Sequence, residues 1–258
     1  MGTKAIDPQA IRNVTIVGDP DDTTRLIHRL LGRTGSGPQT VIHWSTNRID
    51  HTIRLTELSS RTPAADLERS IRVADGVIAL VDAASHRSPR LETTLRVADD
   101  HQVARLCVLT GLDHPRADFE RCIRTIADTR GAVPLTLQIP LGTGAAFDGT
   151  LDLAPMWTLA PMAAEFYGAH WQFAAQWYRT LAKTLMDSTA QDPSPALRNL
   201  SLEQLHRRIR RLTRIGDVVP VLCSAAPRSD DISALMDAIV RYLPSPLDVC
   251  QPEHALDY

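Results

Sequence analysis

The sequence predicts an α/β fold in which helices cover both faces of a mainly parallel, doubly wound sheet. Short apolar runs, such as residues 77–81, alternate with helical patterns along the first half of the chain. A continuous apolar run is typical of a strand that is buried on both faces. Strands that alternate with helices favour βαβ units and therefore a parallel sheet.

The individual elements follow from the spacing of apolar residues. Strands are predicted at residues 14–17, 52–55, 77–81, 106–109, 135–139 and 218–223. The helices are marked by apolar pairs at helical spacing, namely Leu26 and Leu30, Leu67 and Ile71, Leu91 and Leu95, Phe119 and Ile123, Leu205 and Ile209, and Leu235 and Ile239. Ser201 and Gln204 form a capping box that opens the helix of Leu205.

The alternation of strands and helices stops near residue 141 and returns after Gly216. Seven of the twelve aromatic residues lie between Trp157 and Tyr178. We therefore expect one α/β domain from residues 1–140 and 217–249, an α+β insert at 141–216 and a tail at 250–258. A chain of 258 residues is long enough for one large domain that carries such an insert.

Composition excludes several classes of function. The net charge of −2 gives no general affinity for DNA or for an anionic membrane. No apolar run is long enough to span a bilayer, and residues 1–10 do not resemble a signal peptide. The four cysteines are widely spaced, which is typical of reduced thiols rather than of disulfides or a zinc site. We expect a cytoplasmic protein.

The turn after the first strand, residues 18–24, stands where a phosphate-binding loop of the Gly-x-x-x-x-Gly-Lys-Ser/Thr type would lie. It has no second glycine and no lysine, and the only lysines of the chain are Lys4 and Lys183. Three aspartates take their place: Asp19, Asp21 and Asp22. A carboxylate near a phosphate is repulsive, so we expect this turn to reject a triphosphate. The aspartates could instead hold a cation with water, or favour the positive end of the following helix.

Several strings together resemble the nucleotide-binding domain of elongation factor G, a translational GTPase, including its inserted subdomain. They are residues 12–17, 68–76, 117–119, 138–142, 147–149, 219–223 and 242–249. The resemblance implies a P-loop GTPase-like fold. The chain ends nine residues after the last string, so we expect the later domains of that family to be absent.

The resemblance also assigns the positions where nucleotide chemistry would lie. The phosphate loop keeps only Gly18, Thr23 and Thr24, and the magnesium-side motif falls on residues 56–60 without its aspartate, glycine or histidine. The guanine motif falls on residues 110–113, where only Asp113 remains. The last base-side motif falls on residues 225–226, and the first switch segment on a shortened stretch at 35–52.

These losses predict a stand-alone pseudo-GTPase with no catalytic residue, no metal site and no cofactor. It would act as a non-catalytic binding or regulatory module linked to the ribosome or translation. The alternative is a weak guanine-nucleotide binder, with GTP or GDP and Mg²⁺ held by Gly18, Thr23, Thr24 and Asp113. The two threonines could equally be ordinary residues at a helix N-terminus, and Asp113 could simply cap a turn.

Two candidate interaction surfaces remain. Trp157, Trp171 and Trp177 could form the core of the insert or an exposed binding patch. Arg207, Arg208 and Arg211 could be a solvated helix face or could contact ribosomal RNA or an acidic protein. By analogy with the resembled family, the expected partner is a ribosomal stalk protein or a translation factor, with direct RNA contact possible.

Overall fold

A seven-stranded sheet forms the centre of the computed structural model. The structure describes residues 7–31, 39–46, 48–85, 90–155, 165, 168–186, 199–224 and 232–249. The strands are β1 (Ile11–Gly18), β2 (Gln39–Thr46), β3 (Ile49–Ser59), β4 (Gly76–Asp82), β5 (Ala104–Thr110), β6 (Pro134–Thr136), β7 (Gln138–Pro140), β8 (Thr150–Asp152) and β9 (Val219–Cys223).

The described helices follow the strands in the predicted alternation. They are α1 (Pro20–Leu31), α2 (Ala64–Arg72), α3 (Leu91–Asp100), α4 (Phe119–Ala127), α5 (Trp171–Met186), α6 (Leu202–Arg214) and α7 (Ser233–Tyr242). All except α5, which was not predicted, bury the apolar pair that marks them in the sequence, for example Leu67 and Ile71 in α2. The capping box of Ser201 and Gln204 is present at the start of α6. No helix in the described part of the chain is long and apolar enough to cross a membrane.

The strands of the main sheet lie in the order β2-β3-β1-β4-β5-β9-β6. All of them run parallel except β2, which pairs antiparallel with β3. The predicted α/β fold with a mainly parallel sheet is therefore confirmed. The carboxyl ends of β1, β3, β4, β5 and β9 meet at one edge of the sheet, which we call the carboxyl edge. This is the edge at which open parallel sheets bind ligands.

The prediction of a single strand at residues 135–139 was wrong. The chain divides there into β6, which pairs with β9, and β7, which forms a separate two-stranded sheet with β8. Leu137 lies between them and donates its backbone N–H to Val221. The Gln138 side chain then accepts a hydrogen bond from the Cys223 N–H and donates one to Asp152. These hydrogen bonds to residues distant in sequence end β6 before Leu137, although apolar and polar residues continue to alternate there.

Residues 39–46, within the segment assigned to the first switch, form the edge strand β2. All eight residues pair in register with β3, from Gln39 opposite Thr56 to Thr46 opposite Ile49. The Trp44 indole N–H donates to Asp237 of α7 at 2.9 Å and so fixes β2 to the helix beside it. This part of the chain is therefore an element of the sheet.

The helices within residues 141–216 pack on the same core as the rest of the sheet. Ala174 and Leu181 of α5 and Leu205 and Ile209 of α6 are fully or almost fully buried in it. The boundaries of an inserted subdomain stay a prediction.

Buried cysteines share this core. Burial raises the pKa of the Cys107 thiol to about 12 and that of the Cys122 thiol to about 11.

Asp248 joins the segment after α7 to the rest of the domain. Its carboxylate accepts hydrogen bonds from the N–H and hydroxyl of Ser245, both at 2.9 Å, and ion pairs with Arg210 at 2.8 Å and Arg214 at 3.4 Å. Partial burial raises the pKa of this carboxyl, but the bonds from Ser245 and Arg210 outweigh it and lower the pKa to about 2.

We predict that Asp248→Ala lowers the free energy of unfolding by about 1–3 kcal/mol at pH 7, because it removes hydrogen bonds to a charged group. The pKa in the folded state is depressed, so the stabilisation is complete above the unfolded-state pKa of about 3.9 and is lost as the pH falls towards 2. Urea unfolding at pH 7 and pH 2.5 measures this. Asp113→Asn, at an exposed position, is the control and should behave as wild type at both pH values.

Candidate functional site

The turn at residues 18–24 is much tighter than a phosphate loop. β1 ends at Gly18, α1 begins at Pro20, and only Asp19 separates them. Asp19 accepts a hydrogen bond from the Asp21 N–H at 3.1 Å, as an N-cap residue does. Proline is favoured at the first position of a helix because its missing N–H needs no partner there. The sequence pattern placed the helix later because its first apolar residue is Leu26.

The backbone N–H groups of this turn are largely used within the protein. Proline has none at position 20, the Asp21 N–H binds the Asp19 side chain, and the Thr23 N–H binds the Asp19 carbonyl at 2.9 Å. A phosphate site at a helix N-terminus needs several such groups that converge on the ligand. The described residues therefore do not fit the phosphates of a nucleotide.

Gly18 is accounted for by packing. A Cβ atom at this position would lie 2.7 Å from the Cβ of Leu80 on β4, which is closer than two carbons can approach. The glycine lets the end of β1 lie against β4. Its presence alone is thus no sign of a phosphate loop.

Thr23 and Thr24 lie in the first turns of α1. Both hydroxyls donate to Oε1 of Glu57, at 2.6 Å from the buried Thr23 and 3.3 Å from the exposed Thr24. Glu57 stands on β3 opposite Ile16 of β1, so its side chain reaches α1 across the carboxyl edge. Sequence reasoning missed this partner, although Glu57 lies inside the stretch assigned to the magnesium-side motif.

Asp22 links α1 to the end of β5. Its Oδ2 accepts a hydrogen bond from the Thr110 hydroxyl at 3.1 Å, and its Oδ1 pairs with Arg25 at 3.3 Å. Burial raises the pKa of this carboxyl, and the nearby charges of Asp82 and Asp19 raise it further, against the opposing effects of Thr110 and Arg25. Thr110 is the first residue of the stretch assigned to the guanine motif. This hydrogen bond therefore joins the turn after β1 to the stretch assigned to the guanine motif.

Two of the three aspartates of the turn already have partners within the protein. Asp19 is engaged as a cap and Asp22 is paired with Thr110 and Arg25. Within the described ranges, no three histidine, cysteine, aspartate or glutamate side chains are grouped so that they could hold a metal ion.

Asp113 is exposed in the loop that follows β5. The loop turns at Gly111, whose φ of +65° suits glycine, and a Cβ there would lie 2.5 Å from Oδ1 of Asp82. The cap within this loop is made by His114, whose Nδ1 accepts a hydrogen bond from the Arg116 N–H at 3.1 Å. Among the described residues, no hydrogen-bond partner of the Asp113 side chain is found, so its role as a turn cap stays a prediction. Residues 225–226, assigned to the last base-side motif, lie outside the described residues.

The predicted tryptophan surface is only partly described, because Trp157 lies outside the described residues. Trp177 packs edge-on against Phe119 of α4, with ring centroids 5.1 Å apart, and its indole nitrogen is buried. Trp171 is partly buried against the same core. Both residues therefore pack on the core that the main sheet shares, and Trp177 does so at the contact between α5 and α4.

The three predicted arginines of α6 differ in their partners. Arg207 forms an exposed ion pair with Glu203 at 3.2 Å. Arg208 donates its Nε–H to the carbonyl of Leu185 at 2.6 Å, near the end of α5. Arg211 is exposed and forms no ion pair with any residue that the structure describes. The interaction surface that these three arginines were expected to form stays a prediction.

We predict that Asp22→Asn stabilises the protein at neutral pH. Because burial raises the pKa of Asp22 in the folded state, its ionisation disfavours folding once the pH exceeds the unfolded-state pKa of about 3.9. Thermal unfolding of the variant and wild type should thus agree below pH 3.5 and diverge at pH 7. Asp21→Asn, in the same turn but exposed, is the matched control. A wild-type protein more stable than the Asn variant at pH 7 would contradict the account.

Comparison with known proteins places this geometry in context. A crystal structure of a protein from Thermus thermophilus superposes with a TM-score of 0.69 at 17% sequence identity. The superposition covers 93% of this chain and 41% of that one, so this chain spans about two fifths of the length of the protein it matches. At this identity the likeness establishes the fold.

The sequence itself matches the family described as the elongation factor Tu GTP binding domain over residues 64–245, which is well over half of the chain. The matched region contains β4, β5 and β9 of the main sheet and the loop of Asp113. The chain therefore belongs to the elongation factor Tu GTP binding domain family, the family of translational GTPases.

Proposed function

We propose that this chain is a pseudo-GTPase, a translational-GTPase-like domain that serves as a non-catalytic binding or regulatory module. The observation that carries the proposal is the start of α1 at Pro20, with Asp19 as its cap. This leaves no loop in which a polyphosphate could lie. The family binds guanine nucleotide with Mg²⁺, and the proposal is that this member has kept the fold without that activity.

Charge supports the same proposal. Asp19, Asp21 and Asp22 stand where a phosphate loop would present N–H groups and a lysine. One carboxylate about 4 Å from a phosphate charge opposes binding by about 1 kcal/mol in water and by about 4 kcal/mol near a protein surface. Lys183, the one lysine among the described residues, lies on α5 and lines a groove with Val133 and Val218, which precede β6 and β9 at the other edge of the sheet.

Hydrolysis would also need groups that orient water and neutralise charge in the transition state. The residues at the assigned positions already bind one another: Thr23 with Glu57, and Asp22 with Thr110. Breaking the bond between Asp22 and Thr110 would leave the buried Thr110 hydroxyl without this partner, which costs about 1–3 kcal/mol.

The partner that this proposal implies is a protein of the translation apparatus. The support is the family, and by analogy the partner is a ribosomal stalk protein or a translation factor. Cosedimentation with ribosomes, and a pull-down on isolated stalk protein, test this part separately. Absence of binding in both assays would remove the link to translation, but it would not bear on whether the chain binds a nucleotide.

We predict no thermal stabilisation by GTP or GDP at millimolar concentration with Mg²⁺. A ligand at 100 times its Kd would add about 2.7 kcal/mol to the free energy of unfolding, which differential scanning fluorimetry detects readily. The matched control is ATP at the same concentration, because a shift with all three nucleotides would report general ion effects. A saturable shift with GTP or GDP alone would contradict the proposal.

The alternative is a weak guanine-nucleotide binder, and the observation that favours it is the exposed side chain of Asp113 in the loop after β5. An aspartate here could accept hydrogen bonds from a guanine edge without any phosphate loop. In that case guanosine and GTP should stabilise the protein equally, and Asp113→Asn should abolish both effects. Thr110→Val, at the other end of residues 110–113, is the control. It should keep the stabilisation by guanosine if Asp113→Asn acts by removing the base contact, and lose it if any change in this loop prevents binding.

A further inference from the structure

We propose that a groove between the end of α5 and the middle of α6 binds an acidic protein segment. The groove has a volume of about 510 Å³. Its rim carries three basic side chains, Lys183, Arg208 and Arg211, and one acidic side chain, Asp217. Its floor is apolar and includes Leu185, Leu212 and Val218. We call it the basic groove.

Charge compensation along α6 stops at this groove. Outside it, Arg207 pairs with Glu203, and Arg210 and Arg214 pair with Asp248. The groove arginines, Arg208 and Arg211, form no ion pair with any described carboxylate, and Lys183 forms none either. Asp217 lines the same groove but lies beyond ion-pair distance of all three cations. The uncompensated positive charge of the helix is therefore gathered at one concave site.

Arg208 is held in place before any partner binds. Its Nε–H donates to the Leu185 carbonyl at 2.6 Å, near the C-terminus of α5. A guanidinium group has five N–H donors, so this contact leaves others for a ligand carboxylate. A basic side chain near a helix C-terminus is also favoured by the helix dipole. Fixing the side chain in advance reduces the entropy lost on binding.

The floor of the groove favours a protein segment over RNA. Leu185 and Val218 are buried, whereas Leu212 is partly exposed and Val133 at the margin is 47% exposed. An apolar surface between cations fits a segment that alternates carboxylates with an aliphatic side chain. Single-stranded RNA binds through base stacking on aromatic rings as well as through phosphates, and the described lining has no aromatic residue.

The basic groove lies at the edge of the sheet opposite the turn of Asp19. Val133 and Val218 stand immediately before β6 and β9, at the amino ends of those strands. A segment bound there would not touch the carboxyl edge. This inference therefore goes beyond the proposed function and does not depend on whether the chain binds a nucleotide.

The test uses the whole chain and a fluorescein-labelled peptide of repeating Glu-Glu-Leu units, with binding measured by fluorescence anisotropy. We expect saturable binding to wild type and no binding of the matched Gln-Gln-Leu peptide. Lys183→Glu/Arg211→Glu should weaken binding by about tenfold or more, because each change removes one attraction and adds one repulsion. Both side chains are exposed, so the variant should melt like wild type.

The control is Arg207→Glu compared with Arg211→Glu alone, because each makes the same change of charge on α6 and only Arg211 lies in the groove. We expect Arg207→Glu to leave the Kd within about twofold of wild type, since an exposed charge pair is worth little. If Arg207→Glu weakens peptide binding as much as the groove variant Arg211→Glu does, overall charge explains the effect and the proposal is overturned. Tighter binding of a single-stranded oligouridine than of the acidic peptide, or no binding of the acidic peptide, would also overturn it.

Discussion

The hydrogen bond from the Asp21 N–H to the Asp19 carboxylate fixes the point at which α1 begins, and the rest of the carboxyl edge depends on it. Because the helix starts at Pro20, a single residue connects β1 to α1. Thr23 and Asp22 are then brought within reach of Glu57 on β3 and Thr110 on β5. A longer loop would place these side chains at a different height above the sheet. The polar groups at the ends of the strands would then be free to bind a ligand.

The two ends of the parallel sheet carry opposite character. At the carboxyl edge, carboxylates cap a helix, accept hydrogen bonds or form ion pairs within the protein. Burial raises the pKa of one of them, Asp22. The amino edge carries the basic groove, whose cations have no partner among the described carboxylates. We infer that the nucleotide chemistry of the family has no support at the first edge, and that recognition in this chain takes place elsewhere. The sheet and its helices are what this chain shares with the family.

Local sequence was sufficient for the fold class and for the composition of the turn after β1. Strands such as β4 and β5 are continuous apolar runs, and the missing lysine and glycine are visible by inspection. The contacts of Glu57 and Asp22 were not predictable, because they join residues 34 and 88 positions apart and depend on sheet register. The break at Leu137 escaped prediction for the same reason. The early start of α1 had a local signal in Asp19-Pro20, but the apolar pattern that begins at Leu26 outweighed it.

The central claim is that the turn after β1 offers no cradle for a polyphosphate. The most direct measurement is a ¹H–¹⁵N NMR titration with a non-hydrolysable GTP analogue and Mg²⁺, in which the N–H signals of Asp21 and Thr23 are followed. The account predicts that both signals stay in place, since each N–H is already bonded to Asp19. Saturable shifts of these two signals, with others along the turn, would show that the loop opens to bind phosphate and would contradict it.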